Sequence, residues 1–251
     1  MEPAALHLDV AGATATVRID HPAKRNAMTT EMWQTLPDLL KRCAADPAVR
    51  VLVLTGQGGT FCAGADISTL AVGDGAVPQG LSVAAEEALA AFPKPTIAAV
   101  RGHCVGGGCQ LAAACDLRFA AEGALFGVTP ARLGIAYPAA STRRLAGLVG
   151  PAAAKYLLFS AELIDSERAL RVGLVDEVWP EEELGPRVAE FAEVLAGRSL
   201  LTQVAAKTAL MTTEGDGAEW PLEARRSGET AEGVAAFLER RTPRFGWTSA
   251  P

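Results

Sequence analysis

Residues 96–114 read TIAAVRGHCVGGGCQLAAA: a short apolar run, a glycine-rich turn and a stretch of small apolar residues. Thr96 to Val100 has the length and continuity of a buried strand. After a turn at Arg101 to Gly106, the pattern from Gly107 to Ala114 is helical, and Leu117 to Ala120 is a further strand. Strand–helix alternation of this kind indicates an α/β core. Gly106, Gly107 and Gly108 allow positive φ and leave backbone amides unshielded, so the helix start presents donors to an anion. The alternative reading is that the glycines serve only close packing.

A dinucleotide pyrophosphate would need a third glycine where Leu111 stands, and the helix before the next strand is short for a parallel crossover. The Rossmann reading fails on spacing. No G-x-x-x-x-G-K-S/T occurs for a P-loop, and no G-x-S-x-G for a serine hydrolase. A second loop of small residues, Thr55 to Asp66, follows another apolar run at Val49 to Thr55. Two strand ends followed by free amides are the ingredients of an oxyanion hole if the donors converge on one oxygen.

Around these segments, Leu6 to Val10 and Thr14 to Ile19 alternate as a hairpin about Gly12, and His21-Pro22 ends it. Met32, Trp33, Leu36, Leu39, Leu40 and Cys43 recur at helical spacing over Thr30 to Ala45, with Thr29 or Thr30 as cap; Pro37 is expected to kink or shorten that helix. Val72 to Gly80 reads as a mobile loop before a helix near Leu81 to Phe92. Helical patterns fill the remainder, at Ser141 to Val149, Pro151 to Phe159, Ser166 to Val172, Glu181 to Leu195, Leu200 to Met211 and Ala231 to Arg240, with one strand at Leu174 to Trp179.

The chain has 251 residues and 23 Lys plus Arg against 29 Asp plus Glu, a net charge of −6 that argues against a nucleic-acid surface. With 49% hydrophobic residues it can bury a large core, which excludes disorder. The five cysteines are odd in number and form no C-x-x-C, so buried thiols in a reducing compartment are expected. No leader pattern stands at the N-terminus and no apolar run is long enough to span a bilayer, so the expectation is a soluble, cytoplasmic protein without a membrane partner.

Several blocks resemble the crotonase superfamily, the enoyl-CoA hydratase/isomerase family, in that family's order. They are His21-Pro22-x-Lys24-Arg25-Asn26-Ala27, Phe61-Cys62-Ala63-Gly64-Ala65-Asp66-Ile67, Lys94-Pro95-Thr96 to Gly108, Cys115-Asp116-Leu117-Arg118, Gly173-Leu174-Val175-Asp176 and Gly233-Val234-x-Ala236-Phe237-Leu238-Glu239. The resemblance implies an α/β crotonase (ClpP-like) ββα superhelix over residues 1–195 and a C-terminal helical trimerisation region over 196–251, in homotrimers that often pair into hexamers. It implies an acyl-CoA thioester as ligand, with coenzyme A entering as part of the substrate, no prosthetic group and no metal. The thioester carbonyl would accept from the amides of Ala65 and Gly107. Lys24, Arg25 and Ala27, with the backbone of Ala63, Asp66 and Ile67, would hold the adenine and phosphates.

The chain departs from the hydratase pattern at two positions. Hydration needs a positioned water and a proton donor, supplied in hydratases of this family by two glutamates. Here Gln110 and Pro130 stand at those positions. Gln110 can orient a water or a carbonyl but cannot titrate, and Pro130 offers no polar side chain. Thr129-Pro130-x-x-Leu133-Gly134-x-x-Tyr137 is similar to the methylmalonyl-CoA decarboxylase branch, where a tyrosine lies near the departing carboxylate. That branch, however, keeps an acid at the position of Gln110 and a histidine at that of Ala65. Tyr137 also reads as a core tyrosine. Glu86 and Glu87 read as solvated helix residues, one of them a candidate replacement base. His103 reads as a loop residue, and Asp66 and Asp116 as caps or ion-pair partners. Hydration, isomerisation and decarboxylation stay open, as does a catalytically silent acyl-CoA binder. A Rossmann oxidoreductase would predict nicotinamide binding.

Overall fold

The hairpin expected about Gly12 opens the fold in the computed structural model, which describes residues 4–66, 68, 76–211, 217 and 219–248. Strand β1 (Ala5–Ala11) pairs antiparallel with β2 (Thr14–Asp20). Helix α1 (Thr30–Ala45) is capped by Thr29, whose side chain accepts from the Met32 amide. The expectation that Pro37 would shorten it is not met. Met32, Trp33, Leu36, Leu39, Leu40 and Cys43 are all buried on this helix. At roughly 1.5–3 kcal/mol per large side chain, that burial outweighs the roughly 3 kcal/mol that an interior proline costs.

From there the chain winds in ββα turns. β3 (Val51–Gly56) leads through isolated bridges at Cys62 and Ala65 to α2 (Ala76–Ala90). β4 (Thr96–Val100) leads through β5 (His103–Val105) to α3 (Gly107–Ala114), and β6 (Leu117–Ala121) through β7 (Leu125–Gly127) to α4 (Ala139–Ser160). Corresponding strands of successive turns stack in parallel. β8 (Ile164–Asp165) closes a three-stranded sheet, β5-β7-β8; α5 (Ser166–Arg171) then leads to β9 (Glu177–Trp179), the last strand of a six-stranded sheet, β1-β2-β3-β4-β6-β9. Every residue of β4 is buried. Ala98 and Val100 pack with Leu36, Leu89 and Leu111, whereas Ile97 and Ala99 pack with Leu184, Val188 and Ala192 of α6 (Glu181–Ala196). Two covered faces explain why this strand carries no alternation.

Two expectations need correction. The turn at Arg101 to Gly106 contains β5, too short to show a period of its own. Residues 76–80, expected in a loop, belong to α2, where Pro78 falls in the first turn and removes no ladder bond; residues 72–75 lie outside the described residues. The two helices expected on either side of residue 150 are both present and meet at a kink at Gly150, whose φ is 74°; together they are α4. After α6 come α7 (Leu200–Met211), α8 (Glu219–Arg226) and α9 (Glu229–Glu239). On them Leu210, Val234, Phe237 and Leu238 are exposed. Among the described residues no helix is long and apolar enough to cross a membrane. All five cysteines are buried and free, and burial pushes the Cys62 and Cys115 thiols up to about 12.

The turns are wound tightly where α3 starts. A β-carbon at Gly108 would stand 2.2 Å from the carbonyl oxygen of Cys62, on the preceding turn, whereas one at Gly80, inside α2, would meet nothing within 4 Å. Alanine at these two positions should therefore act with opposite sign. Gly108→Ala is expected to cost about 1–3 kcal/mol and Gly80→Ala to stabilise by about 0.5–1 kcal/mol, both measured by urea denaturation.

Candidate active site

Backbone pairing on one ββα turn aims an amide at the next. In the parallel bridge between Met28 and Ala65, the Met28 amide donates to Gly64 O at 2.8 Å and the Asp66 amide to Met28 O at 2.9 Å. The N–H of Ala65 therefore faces away from Met28. Gly107 is the first residue of α3, where an amide has no acceptor within the helix. A β-carbon at Gly107 would lie 3.5 Å from Ala65 N, and one at Gly64 would lie 3.3 Å from Gly107 N. The two nitrogens are thus neighbours, and neither amide has an acceptor among the described residues. Beneath them lies the indole of Trp33, whose Cζ2 would be 3.0 Å from a β-carbon at 107. Trp33 is buried and its Nε1 has no partner among the described residues.

A second cluster adjoins the first. After a 3-10 turn at Pro22–Lys24, Arg25 and Asn26 both adopt positive φ, of 50° and 57°. Asn26 is fully buried and supports this bend: Oδ1 accepts from the His21 amide, while Nδ2 donates to Gln57 O and Thr60 O. The Ala63 amide donates to Arg25 O at 3.0 Å. Lys24, Arg25, Ala27, Ala63 and Asp66 are thereby brought together; Ile67 lies outside the described residues. Lys24 Nζ reaches Asp66 Oδ2 at 2.7 Å and Ser68 Oγ at 2.9 Å. Burial pushes the Asp66 carboxyl up, but hydrogen bonds from Lys24 and Ser68 outweigh it and hold it below the ordinary carboxylate value. Asp116 likewise pairs with Lys207, as an ion-pair partner.

The third cluster corrects the reading of Glu86 as a solvated residue. Its side chain is fully buried. Gln110 Nε2, on α3, donates to Glu86 Oε2 at 2.6 Å and to Ser141 Oγ at 2.8 Å. The Ser141 hydroxyl donates to the same Oε2, and Arg144 Nη1 to Oε1. Arg144 Nη2 also reaches Glu87 Oε1 at 3.0 Å. Neither Ser141 nor Arg144 was anticipated as a site residue. The signal for Glu86 was available: with Ser82, Ala85 and Leu89 it falls on one buried helical stripe of α2.

Tyr137 is partly buried, and burial, with the nearby thiols of Cys109 and Cys104, raises its phenol well above the usual value. Its hydroxyl is protonated at neutral pH and has no partner among the described residues. Pro130 begins a single 3-10 turn after Thr129, whose Oγ1 would lie 3.7 Å from a β-carbon at Gly106. His103 sits in β5, a strand residue where a loop residue was expected.

The family model for enoyl-CoA hydratase/isomerase matches residues 9–248. The chain belongs to the enoyl-CoA hydratase/isomerase family. Within it, the crotonyl-CoA hydratase of Syntrophomonas wolfei is 37% identical over 244 residues, covering 92% of this chain and 94% of the relative. The 2,3-dehydroadipyl-CoA hydratase of Escherichia coli is 35% identical over 236 residues, 90% and 92% of the two chains. The solved enoyl-CoA hydratase of Bacillus anthracis superimposes with a TM-score of 0.89 at 30% identity, over 96% of this chain and 98% of that one. The winding described above is the crotonase superhelix.

In this family member, the Lys24–Asp66 pair gives a pH signature of fixed sign. A carboxylate held low contributes stability that is present above its unfolded pKa, about 3.9, and is lost as pH falls through the lower folded value. Lys24→Ala is therefore expected to lower the Tm at pH 7 and to approach the wild type at pH 3. Thermal melts at the two pH values check this; an equal deficit at both would contradict it.

Proposed function

We propose that this chain is an acyl-CoA-processing enzyme that binds a thioester with its carbonyl oxygen on the amides of Ala65 and Gly107. The observation that carries the reading is that these two neighbouring amides have no acceptor of their own among the described residues, one of them at the start of α3. Negative charge that develops on the thioester oxygen in an enolate meets fixed donors and the positive end of the helix dipole, which lower the barrier without reorganisation. Lys24, Arg25 and Ala27 with the 63–67 segment hold the adenine and phosphates. Oligomerisation to a trimer or hexamer goes through residues 196–251, where Leu210, Phe237 and Leu238 are exposed apolar side chains. The compartment is the cytoplasm.

Hydration is the chemistry that the relatives' names favour, those being hydratases of crotonyl-CoA and of 2,3-dehydroadipyl-CoA. A second reading, a base-poor reaction such as decarboxylation of a methylmalonyl-type thioester, is favoured by one observation. Both oxygens of Glu86, the buried carboxylate beside Gln110, are already engaged by Arg144, Ser141 and Gln110. Where CO₂ departs, the electron pair of the broken bond becomes the enolate and no strong base is needed. Gln110 stands in place of one hydratase acid and Pro130 of the other.

Purified protein tested with crotonyl-CoA, a 3-enoyl-CoA and methylmalonyl-CoA separates the chemistries. Binding of CoA thioesters without turnover of any would leave the silent binder, and neither binding nor turnover would overturn the proposal. On the substrate found, Gly107→Pro removes one donor and is expected to lower the rate by on the order of 10² to 10³. Gly107→Ala keeps the amide while pressing on Trp33 in the same way, so it serves as the steric control. A folded Gly107→Pro with wild-type turnover would refute the role of that amide.

A further inference from the structure

Gln110 and Glu86 form one unit across two helices, and we infer that Glu86 is a positioning residue that locks the Gln110 carboxamide with its oxygen turned to the acyl ligand. Position 110 thereby becomes a fixed acceptor that selects acyl groups bearing a hydroxyl. This rests on the acyl-CoA reading above.

The orientation of the amide follows from what each atom can give. An ionised carboxylate only accepts, so the atom of Gln110 that lies 2.6 Å from Glu86 Oε2 is the nitrogen. Nε2 also lies 2.8 Å from Ser141 Oγ. Ser141 in turn gives its hydrogen to Glu86, so the serine has none left to donate to the amide oxygen in a flipped state. Arg144 neutralises the carboxylate from the other side, and Glu87 shares that arginine. The nitrogen side of the carboxamide is thus held against Glu86 and Ser141. Gln110 Oε1 receives nothing from the described residues and is not among the sealed, unpartnered atoms. It stands one helical turn beyond Gly107 on the same side of α3, so a hydroxyl near the β-carbon of a thioester held at Gly107 is the donor within its reach.

The same geometry explains why the residue is neutral. A glutamate at 110 would put a second carboxylate against Glu86, with only Arg144 to balance the two. Such a pair keeps a shared proton and titrates together. Exchanging the residues, Glu86→Gln with Gln110→Glu, restores one carboxylate and one amide.

Two measurements test this, one independent of any ligand. Gln110→Glu raises the folded pKa of the pair, so its stability is complete below about pH 4.3 and falls as pH rises through the raised value. The expected result is a Tm deficit that grows from pH 4 to pH 8 in Gln110→Glu and vanishes in the double exchange. Facing the pair are Arg144 and Ser141 from α4 and Glu87 from α2. All three are unchanged in every variant. A pH-independent Tm difference for Gln110→Glu would overturn the coupling.

The second measurement compares 3-hydroxybutyryl-CoA with butyryl-CoA by calorimetry. The wild type is expected to prefer the hydroxylated acyl group by roughly 3- to 10-fold, the worth of one neutral hydrogen bond. Glu86→Gln, nearly the same shape, is expected to bind butyryl-CoA as the wild type does and to lose the preference. A preference retained in folded Glu86→Gln would overturn the positioning role. If the wild type binds neither thioester, the acyl-CoA reading falls while the pH result stands on its own.

Discussion

A backbone N–H without an acceptor in the protein is free to serve another partner, and this fold holds two side by side, on the half-buried residues Ala65 and Gly107. Neither is an accident of a loose loop. Ala65 is turned outward because its flanking residues are both committed to Met28. Gly107 is left over because every helix begins with amides that nothing within it can accept. The superhelix makes the two meet: a turn of winding carries the chain from the Cys62–Ala65 bridges to the start of α3, and Gly108 permits contact so close that a side chain would strike Cys62. The same winding covers both faces of β4, fixing the strand end that launches the glycine turn.

Two of the charges around this point are compensated within the fold: Lys24 is paired with Asp66, and Glu86 with Arg144. Breaking one side of such a buried pair is expensive, since it leaves an uncompensated charge. Glu86 therefore constrains its neighbours, and Gln110 and Ser141 are the neutral donors that its remaining oxygen lone pairs require.

Much of this was legible from residues 96–114. The limits of β4 and α3 follow from where the apolar run and the glycines stop, because a parallel strand covered on both sides carries a continuous signal. The resemblance of the glycine blocks then foretold the crotonase winding. What stayed hidden was either too short or tertiary in origin. β7 and β8 hold three and two residues, and a period cannot show in so few. The overall run of α1 survived Pro37 because packing outweighed local propensity. Adjacent glutamates at 86 and 87 look solvated when taken as a pair, and only the stripe of Ser82, Ala85 and Leu89 assigns the first to the interior and leaves the second to the surface. Ser141 and Arg144 are neighbours of Glu86 only through the packing of α4 near α2 and α3, which no local pattern encodes.

On the proposed reading, the absence of an acid at position 110 has an electrostatic consequence that favours the enolate. A full negative charge about 6 Å from the developing oxyanion would oppose it by roughly 3 kcal/mol at an effective dielectric constant near 20. That is comparable with what one amide donor contributes, about 2.7–4 kcal/mol. A hydratase with two carboxylates tolerates that opposition because it needs them to move protons. In this chain Gln110 is neutral, Tyr137 keeps its proton because burial raises it, and Glu86 has Arg144 on its far oxygen. The field at the thioester is then set mainly by the α3 N-terminus and its amides, which stabilises charge on oxygen while providing little means of moving a proton. Such a site suits reactions whose electron pair arrives from a breaking bond, or whose proton is carried by the substrate's own hydroxyl or by water held at Gln110.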